Sequence, residues 1–212
     1  DCISPMLLET MKYDPTEGVL LWPAHLARLM RSATAQAYPL DPSKASALAQ
    51  RFSAKQKKKL RLLTDRSGNL NLESSNFPPE KKLIRLDLAD TPINRDDFRL
   101  RTKTTQRTDY DQMRGSRLDI DDVILWNEEG EITETTIFNL YLQIGGALLT
   151  PPLASGLLPG IYRGHLLALG SAKEAVLTRA DLNKADKIYV SNAVRGLCPA
   201  VLVSLGFPGL SP

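Results

Sequence analysis

The chain has 212 residues, of which 42% are hydrophobic and 24% are charged, and its formal net charge is +3. This composition is typical of a globular protein long enough for one large domain or two small ones. A nucleic-acid partner is not expected, because the basic excess is small and only 6% of the residues are aromatic.

Membrane, metal and disulfide features are not expected either. No apolar run approaches the ~18 residues that span a bilayer, and the sequence has no secretory signal pattern. We therefore predict a cytoplasmic location with no membrane partner. Cys2 and Cys198 lack the spacing of metal ligands and cannot define a disulfide framework, so no metal site is predicted.

The first third of the chain has the pattern of a small α/β domain over residues 1–89. The predicted elements are strands over 6–13 and 19–22, helices from Pro23 and over 41–59, and strands over 60–64, 70–73 and 84–88. Gly68 suits a tight hairpin turn between two of these strands. The basic run Lys55–Arg61 is interpreted as a solvated helix face.

Residues 90–102 are polar and contain Pro92, which indicates a linker. The remainder, 103–212, is predicted to form a larger domain. Its expected helices cover 110–118, 161–169 and 181–185, and its expected strands cover 123–126, 131–134, 138–143, 147–150, 175–177 and 187–190. Strands and helices are interleaved, but several hairpins, one of them across Gly145–Gly146, argue against a purely parallel sheet, so the predicted class is α+β (mixed α/β).

Three short segments are candidates for binding an anion. Leu158–Arg163 is a Pro-Gly turn that opens a helix, whose first N–H groups lack intrahelical partners and lie at the positive end of the helix dipole. Arg28 lies on an amphipathic helix, and small residues follow a strand at Ser191–Ala193. Taken singly, each has a plain structural interpretation: a loop-to-helix junction, a surface arginine and a strand end.

The order of motifs between Glu134 and Arg163 resembles a family signature. The patterns are E-x-T-x-x-N-L-Y from Glu134, L-x-T from Leu148 and L-x-G-I-x-R from Leu158. They resemble the class IV (fold-type IV) pyridoxal-phosphate aminotransferases, which include branched-chain aminotransferases, D-amino-acid aminotransferases and 4-amino-4-deoxychorismate lyases. H-x-x-R-L-x-x-S-A from His25 and the segment around Lys103 are similar to two further family motifs.

The resemblance implies a two-domain enzyme with pyridoxal 5'-phosphate between the domains. Lys103 would be the Schiff-base lysine and would also move a proton at the substrate carbon. Glu134 would face the pyridine nitrogen and keep it protonated, which strengthens the ring as an electron sink. Asn139 fits the motif without an evident role beyond shaping the turn.

The resemblance also implies how the phosphate would be bound. Its ligands would be Arg28 and the backbone N–H groups of two segments, Gly160, Ile161 and Tyr162 in one, and Asn192 and Ala193 in the other. The chain departs from the family pattern at three positions: Tyr162 and Ala193 stand where many members have hydroxyl-bearing residues, and Thr108 stands where a tyrosine is common.

Within the family, the fragments LLETMKYDPTEG, TKTTQRTDYDQMR and SNAVRGL are most similar to 4-amino-4-deoxychorismate lyases. The implied reaction releases pyruvate and 4-aminobenzoate in the folate pathway, with Arg107, Tyr110 and Arg195 as candidate substrate residues. A class IV aminotransferase acting on branched-chain or D-amino acids is the alternative, and a noncatalytic relative is a third. The resemblance also implies a homodimer, a small-molecule substrate and an aminodeoxychorismate synthase as functional partner.

Overall fold

The computed structural model describes residues 4–205, which divide into two compact units. The first unit is Asp1–Glu80 with Thr102–Arg107, and the second is Lys81–Arg101 with Thr108–Pro212. The α-helices within the described residues are α1 (Trp22–Ala35), α2 (Pro42–Arg51), α3 (Thr108–Arg114) and α4 (Ile161–Ala168). Helices and sheets occur in both units, which confirms the predicted mixed α/β class.

The first unit contains a four-stranded antiparallel sheet. Its strands are β1 (Leu7–Asp14), β2 (Gly18–Val19), β3 (Lys58–Thr64) and β4 (Leu70–Asn76), in the order β2-β1-β3-β4. Leu7, Met11 and Leu60 are fully buried and pack with Leu29 of α1 to form the core. Burial of this apolar face stabilises the unit.

The helix predicted over 41–59 is wrong in its second half. The Asp41 side chain accepts from the N–H groups of Ser43 and Lys44, as an N-cap does, but Phe52 has φ −67° and ψ 132° and ends α2. The run Lys55–Arg61 therefore does not lie on a helix face. Its last four residues form the start of β3, where they pair with β1 on one side and β4 on the other.

The segment Thr102–Arg107 belongs to the first unit and lies beside the start of β1. The Leu8 N–H donates to the Lys103 carbonyl at 3.1 Å, and Leu7 is bridged to Thr104 in antiparallel register. Thr105 receives the Met6 N–H on its hydroxyl at 3.0 Å. The backbone of Lys103 is therefore fixed to the beginning of β1.

The second unit contains an eight-stranded mixed sheet. Its strands are β5 (Ile84–Leu88), β6 (Asp122–Trp126), β7 (Ile132–Thr135), β8 (Asn139–Ile144), β9 (Ala147–Thr150), β10 (Lys173–Glu174), β11 (Lys187–Asn192) and β12 (Gly196–Leu202). Their order is β10-β9-β8-β11-β12-β5-β6-β7, and β7 also pairs with β8. The second pairing of β8 closes six of these strands into a ring.

The core of the second unit lies against this sheet. Leu86, Ile124, Ile132 and Leu140 are all fully buried. In a separate apolar cluster, Tyr141 of β8 packs with Leu166 of α4. Helix α4 is therefore fixed to β8, the strand that begins at Asn139. This arrangement determines where the first turn of α4 lies.

Several sequence expectations differ from the structure in the second unit. Strand β5, predicted within an N-terminal domain over 1–89, pairs with β12 and β6 of the second sheet. Part of the expected linker over 90–102 is packed, since Ile93 and Leu100 are buried in a core cluster. Residues 175–177, predicted as a strand, form none and follow directly after the two residues of β10, and β12 was not predicted. In the first unit, the strand predicted over 19–22 overlaps β2 only at Val19.

Cys198 is buried and has a free thiol, whereas Cys2 lies outside the described residues. Over residues 4–205 no helix combines the length and apolar character that a membrane span requires. The same part of the chain contains no cluster of three or more acidic, histidine or cysteine side chains suited to a metal ion.

Candidate active site

Glu134 is a carboxylate buried in the second unit. It lies on β7, whose four residues are all buried, and its exposed fraction is only 4%. Oε2 accepts the Leu158 N–H at 2.8 Å, and Oε1 accepts the Tyr110 hydroxyl at 3.3 Å. Both carboxyl oxygens are therefore oriented by hydrogen bonds, as buried polar atoms require.

The contact with Glu134 gives Tyr110 a defined place. Tyr110 lies in α3, where its ring also packs at the edge of the cluster containing Leu125. Sequence reasoning proposed Tyr110 as a substrate residue, but the structure places its hydroxyl on the carboxylate of Glu134. We infer that it orients this carboxylate.

The turn at Leu158–Gly160 leads into α4, and the first backbone N–H groups of α4 have no acceptor within the helix. Gly160 is the N-cap residue, and no side chain caps the helix there. The N–H groups of Ile161 and Tyr162 belong to the first turn and lack intrahelical acceptors. The helix dipole adds partial positive charge at the same place, which suits a phosphate group.

Asn139 fixes the shape of this turn. It is the first residue of β8 and is paired with Glu134 across the β7–β8 ladder. Its Nδ2 donates to the Leu158 carbonyl at 3.1 Å, and its Oδ1 lies where a Cβ on Gly160 would be. Gly160 has φ −62°, so glycine is required there by close approach to Asn139 rather than by a left-handed backbone.

A second turn with candidate N–H donors joins β11 to β12. The Asn192 Oδ1 accepts the N–H groups of Val194 at 3.1 Å and Arg195 at 2.9 Å. Asn192 Nδ2 donates to the Ile137 carbonyl at 3.3 Å, which connects this turn to the β7–β8 turn. The side chain of Asn192 therefore shapes the turn, and Ala193 at its tip is half-buried.

Tyr162 connects the two turns. Its ring lies 5.7 Å from that of His165 by centroids, and a Cβ on Gly196 would be 3.5 Å from its hydroxyl oxygen. The departure from the family pattern at Tyr162 thus places a large ring beside the β11–β12 turn. Within the second unit, contacts link Glu134, Tyr110, the turn at Leu158–Gly160 and the turn at Asn192.

Arg28 lies in the first unit, in a buried ion pair with Glu9. The plain interpretation of Arg28 as a surface residue is wrong, because its exposed fraction is 4%. Its Nε donates to Glu9 Oε1 at 2.8 Å and an Nη donates to Oε2 at 2.7 Å. His25 Nδ1 lies 2.6 Å from the same Oε2.

The pKa shifts of Glu9 and His25 indicate which side chains in this cluster are charged. Burial raises the pKa of Glu9, but the charge of Arg28 and the hydrogen bonds from His25 and Arg28 outweigh burial and lower the pKa to about 2. Burial is the main cause that lowers the pKa of His25, so a neutral imidazole donates its Nδ1–H to ionised Glu9. His25 Nε2 is buried and has no hydrogen-bond partner among residues 4–205.

Lys103 belongs to the same unit as Arg28. Its positive charge is one of the smaller causes that lower the pKa of His25, which indicates that Lys103 lies in the neighbourhood of the cluster. The side chain of Lys103 is half-buried, as is that of Arg107 four residues later. Arg195, the other candidate substrate arginine, is half-buried in the second unit and close enough to lower the pKa of Cys198 slightly against the effect of burial.

The sequence analysis missed Glu9, and it gave Asn139 a role in shaping the turn without identifying its partner Leu158. Glu9 carried a signal, because Leu7, Glu9 and Met11 lie on one face of β1 and the two flanking residues are fully buried. A charged residue between two core positions predicts a buried ion pair. Asn139 carried no such signal, because its partner Leu158 is 19 residues away in sequence.

Comparison with known proteins identifies the family of this chain. The family model described as "Amino-transferase class IV" matches residues 6–203. A "Putative aminodeoxychorismate lyase" from Schizosaccharomyces pombe is 38% identical over 85 residues, or 39% of this chain and 37% of that protein. A "Probable branched-chain-amino-acid aminotransferase" from Thermotoga maritima is 33% identical over 102 residues, or 46% of this chain and 37% of that protein.

Similarity to these two curated relatives therefore spans little more than a third of their lengths. The crystal structure of a "Putative amino-acid aminotransferase" from Mesorhizobium loti superposes with a TM-score of 0.87 at 37% identity, and covers 94% of this chain and 100% of that one. The family model and this solved relative each span nearly the whole chain. The chain belongs to the class IV aminotransferases, a family of pyridoxal-phosphate-dependent enzymes.

Proposed function

We propose that the chain is a pyridoxal-phosphate-dependent lyase that converts 4-amino-4-deoxychorismate to 4-aminobenzoate and pyruvate. The observation that carries the cofactor assignment is the buried Glu134, whose carboxylate is bonded to the same turn that opens α4. An acid for a ring nitrogen and a helix N-terminus for a phosphate are thus joined through Leu158. Similarity to the fission-yeast protein over 85 residues supports the lyase reaction.

The residues proposed to bind pyridoxal phosphate suit its charged groups. The phosphate carries negative charge, which matches the N–H groups at the start of α4 and the guanidinium of Arg28. Glu134 is a buried carboxyl group, and a carboxylate there would pair with a protonated ring nitrogen. The cofactor, when bound, supplies an aldehyde for an amine and an electron sink for the negative charge that develops on the substrate.

Lys103 is the residue proposed to bind the cofactor aldehyde and to move the proton. Its backbone is bonded to β1, Thr104 is bridged to Leu7 of that strand, and Thr105 is bonded to Met6 just before it, so the lysine side chain starts from a fixed point. A fixed starting point favours catalysis because the amine must reach the substrate C–H in a defined geometry. We propose that Lys103 takes this proton as a general base.

The proposed reaction is an elimination that balances without an oxidant or a second substrate. The proton leaves the ring carbon that bears the amino group, and its electron pair forms the aromatic ring as the carbon–oxygen bond to the enolpyruvyl group breaks. The departing group takes up a proton at its methylene carbon and becomes pyruvate. Aromatisation provides a driving force that amino-group transfer lacks.

The substrate of this reaction carries two carboxylates, for which we propose Arg107 and Arg195. A guanidinium presents paired N–H donors that match a carboxylate, and both arginines are half-buried. We further propose that the chain acts as a cytoplasmic homodimer beside an aminodeoxychorismate synthase, which would supply the substrate. The class IV family is generally homodimeric and acts on small molecules.

The second candidate function is amino-group transfer from branched-chain or D-amino acids. The similarity to the Thermotoga maritima protein favours it, because that alignment is longer, at 102 residues. The two reactions would share Lys103, Glu134 and the phosphate ligands. A noncatalytic relative is less well supported, since it would need neither Lys103 nor the buried Glu134.

Pyruvate release distinguishes the candidates. The purified protein, loaded with pyridoxal phosphate, is incubated with 4-amino-4-deoxychorismate and no keto acid, and pyruvate is followed through lactate dehydrogenase. We expect pyruvate and 4-aminobenzoate in equal amounts. No pyruvate from 4-amino-4-deoxychorismate, together with formation of glutamate from 2-oxoglutarate and a branched-chain or D-amino acid, would instead support the aminotransferase.

The matched variants are Lys103→Ala and Lys187→Ala. Lys187 is an exposed lysine on β11, so its loss should leave the rate unchanged. Lys103→Ala should abolish pyruvate release. Equal rates for the two variants would contradict the role of Lys103.

A further inference from the structure

Asn139 and Glu134 contact the two polar groups of one residue, Leu158. Glu134 Oε2 accepts the Leu158 N–H at 2.8 Å, and Asn139 Nδ2 donates to the Leu158 carbonyl at 3.1 Å. Glu134 and Asn139 face each other across the β7–β8 ladder, so both contacts originate from one pair of adjacent strands. The backbone of Leu158 is thereby fixed on both sides.

The same side chain of Asn139 also contacts Gly160. Its Oδ1 occupies the space that a Cβ on Gly160 would take, so the turn lies directly against the amide. Asn139 is 6% exposed, and its position is restricted further because β8 continues into Tyr141, which packs on α4. Movement of the Asn139 amide would therefore move the backbone just before Ile161.

The turn that precedes Asn139 is held by hydrogen bonds to a buried side chain. The turn between β7 and β8 is bonded to Asp122, whose Oδ1 accepts the Thr136 hydroxyl at 2.6 Å and whose Oδ2 accepts the Ile137 N–H at 3.2 Å. Asp122 is fully buried, so these bonds are shielded from water. The hairpin that carries Glu134 and Asn139 thus behaves as a fixed base for the turn at Leu158–Gly160.

We propose that Asn139 is a positioning residue that fixes the Leu158–Gly160 turn so that the first N–H groups of α4 face the cofactor phosphate. This inference rests on the proposed binding of pyridoxal phosphate and assigns a role within that site. Asn139 does not touch the phosphate; it acts through the Leu158 carbonyl and the close approach of Gly160. Loss of its amide donor weakens binding of the phosphate group and not of the ring.

The test compares two ligands that differ only in the phosphate. Dissociation constants for pyridoxal phosphate and for pyridoxal are measured on the cofactor-free protein by absorbance titration. The variant Asn139→Asp keeps the side-chain shape but places an acceptor against the Leu158 carbonyl. We expect it, and equally the uncharged variant Asn139→Ser, to raise the dissociation constant for pyridoxal phosphate about tenfold and that for pyridoxal less than about twofold. A loss confined to Asn139→Asp would show repulsion between the new carboxylate and the phosphate and would overturn the proposal.

Thr150→Val is the matched control. Thr150 is fully buried on β9 and donates its hydroxyl to the Leu140 carbonyl at 2.8 Å, so the variant also removes a buried side-chain-to-backbone hydrogen bond. It should lower the melting temperature without changing the ratio of the two dissociation constants. If Thr150→Val changed the ratio as much as Asn139→Asp does, the effect would reflect a general loss of stability, and the proposal would be overturned.

The remaining outcomes separate the inference from the proposed function. If the wild-type protein binds neither ligand, the proposed function fails. If it binds both and Asn139→Asp loses affinity for both equally, or for neither, only the inference fails. Should Asn139→Asp not fold, Asn139→Ser replaces it, and failure of both variants to fold would show that Asn139 serves the fold as a whole.

A second variant tests the contact with Gly160. Gly160→Ala places a methyl group on the Asn139 Oδ1, so it should displace the amide and change the ligand ratio in the same direction. Because both substitutions act through one contact, Gly160→Ala should cost less in the Asn139→Ser background than alone. Additive effects would contradict the proposed coupling.

Discussion

The buried ion pair between Glu9 and Arg28 makes a quantitative prediction about acid stability. The pKa of Glu9 is about 2 in the folded chain against 4.5 for the free side chain, and the difference corresponds to about 3 kcal/mol of the free energy of unfolding. Because the folded pKa is the lower one, this contribution is complete above pH 4.5 and is lost as the pH falls towards 2.

The perturbation is Glu9→Gln. Glutamine can still accept a hydrogen bond from Arg28, but the guanidinium loses its opposite charge, and a buried charge without its partner costs about 3–5 kcal/mol. We expect the variant to be about 3 kcal/mol less stable than the wild type at pH 7. The difference should fall to less than half at about pH 3, where Glu9 is protonated in the unfolded wild-type chain.

The assay is urea unfolding followed by tryptophan fluorescence. The chain has two tryptophans, and Trp22 lies in the first unit while Trp126 packs in the second. Trp126→Phe as the common background makes Trp22 report on the unit that contains Glu9. A single reporter is needed because two units need not unfold in one step.

Glu73→Gln is the matched control for this experiment. Glu73 pairs with Arg61 at 3.1 Å in the same sheet, but both side chains are at least 40% exposed. Its loss should cost less than about 1 kcal/mol at any pH. The reasoning is refuted if the Glu9→Gln difference is the same at pH 7 and pH 3, or if Glu73→Gln gives the same profile.

Two further substitutions test the neighbours of Glu134 in the second unit, with unfolding followed through Trp126. Tyr110→Phe removes the hydroxyl that donates to Glu134, so we expect about 1 kcal/mol of lost stability, and no loss would contradict that contact. Asp122→Asn places an amide donor against the Thr136 and Ile137 donors, so we expect a loss of about 2–3 kcal/mol; a neutral result would show that the turn does not depend on the carboxylate.

Local patterns in the sequence predicted many elements of the fold. The hairpin around Gly68 and the hairpin across Gly145–Gly146 were both predicted, and the structure confirms them. In each case glycine allows a left-handed backbone where the chain reverses, with φ 81° at Gly68. Turns of this kind depend on a few adjacent residues, so the sequence carries the whole signal.

Elements that depend on distant partners were less predictable. Residues 52–59 have the composition of an exposed helix, but Phe52 has an extended backbone that ends α2, and Lys58 and Lys59 pair with β1. Strand β12 contains Pro199, which argues against a strand, yet the parallel pairing with β5 begins only at Ala200. Neither pairing is visible from neighbouring residues.

The candidate site divides in the same way. Motif spacing identified Glu134 and the turn at Leu158, and the structure brings them together through a hydrogen bond. The alternation along β1 marks Glu9 as a buried charge, but its partner Arg28 and the contact of Tyr110 with Glu134 could not be derived, because these partners are 19 and 24 residues away in sequence. The roles of Lys103 and of the phosphate ligands stay predictions.

Covalent labelling of Lys103 tests the central proposal most directly. The protein is incubated with pyridoxal phosphate, reduced with borohydride, digested, and mapped by mass spectrometry. We expect one reduced adduct, on the peptide that contains Lys103, and none on that peptide's counterpart in Lys103→Ala. An adduct spread over surface lysines such as Lys187, or no adduct at all, would contradict the assignment of this chain as a pyridoxal-phosphate enzyme acting through Lys103.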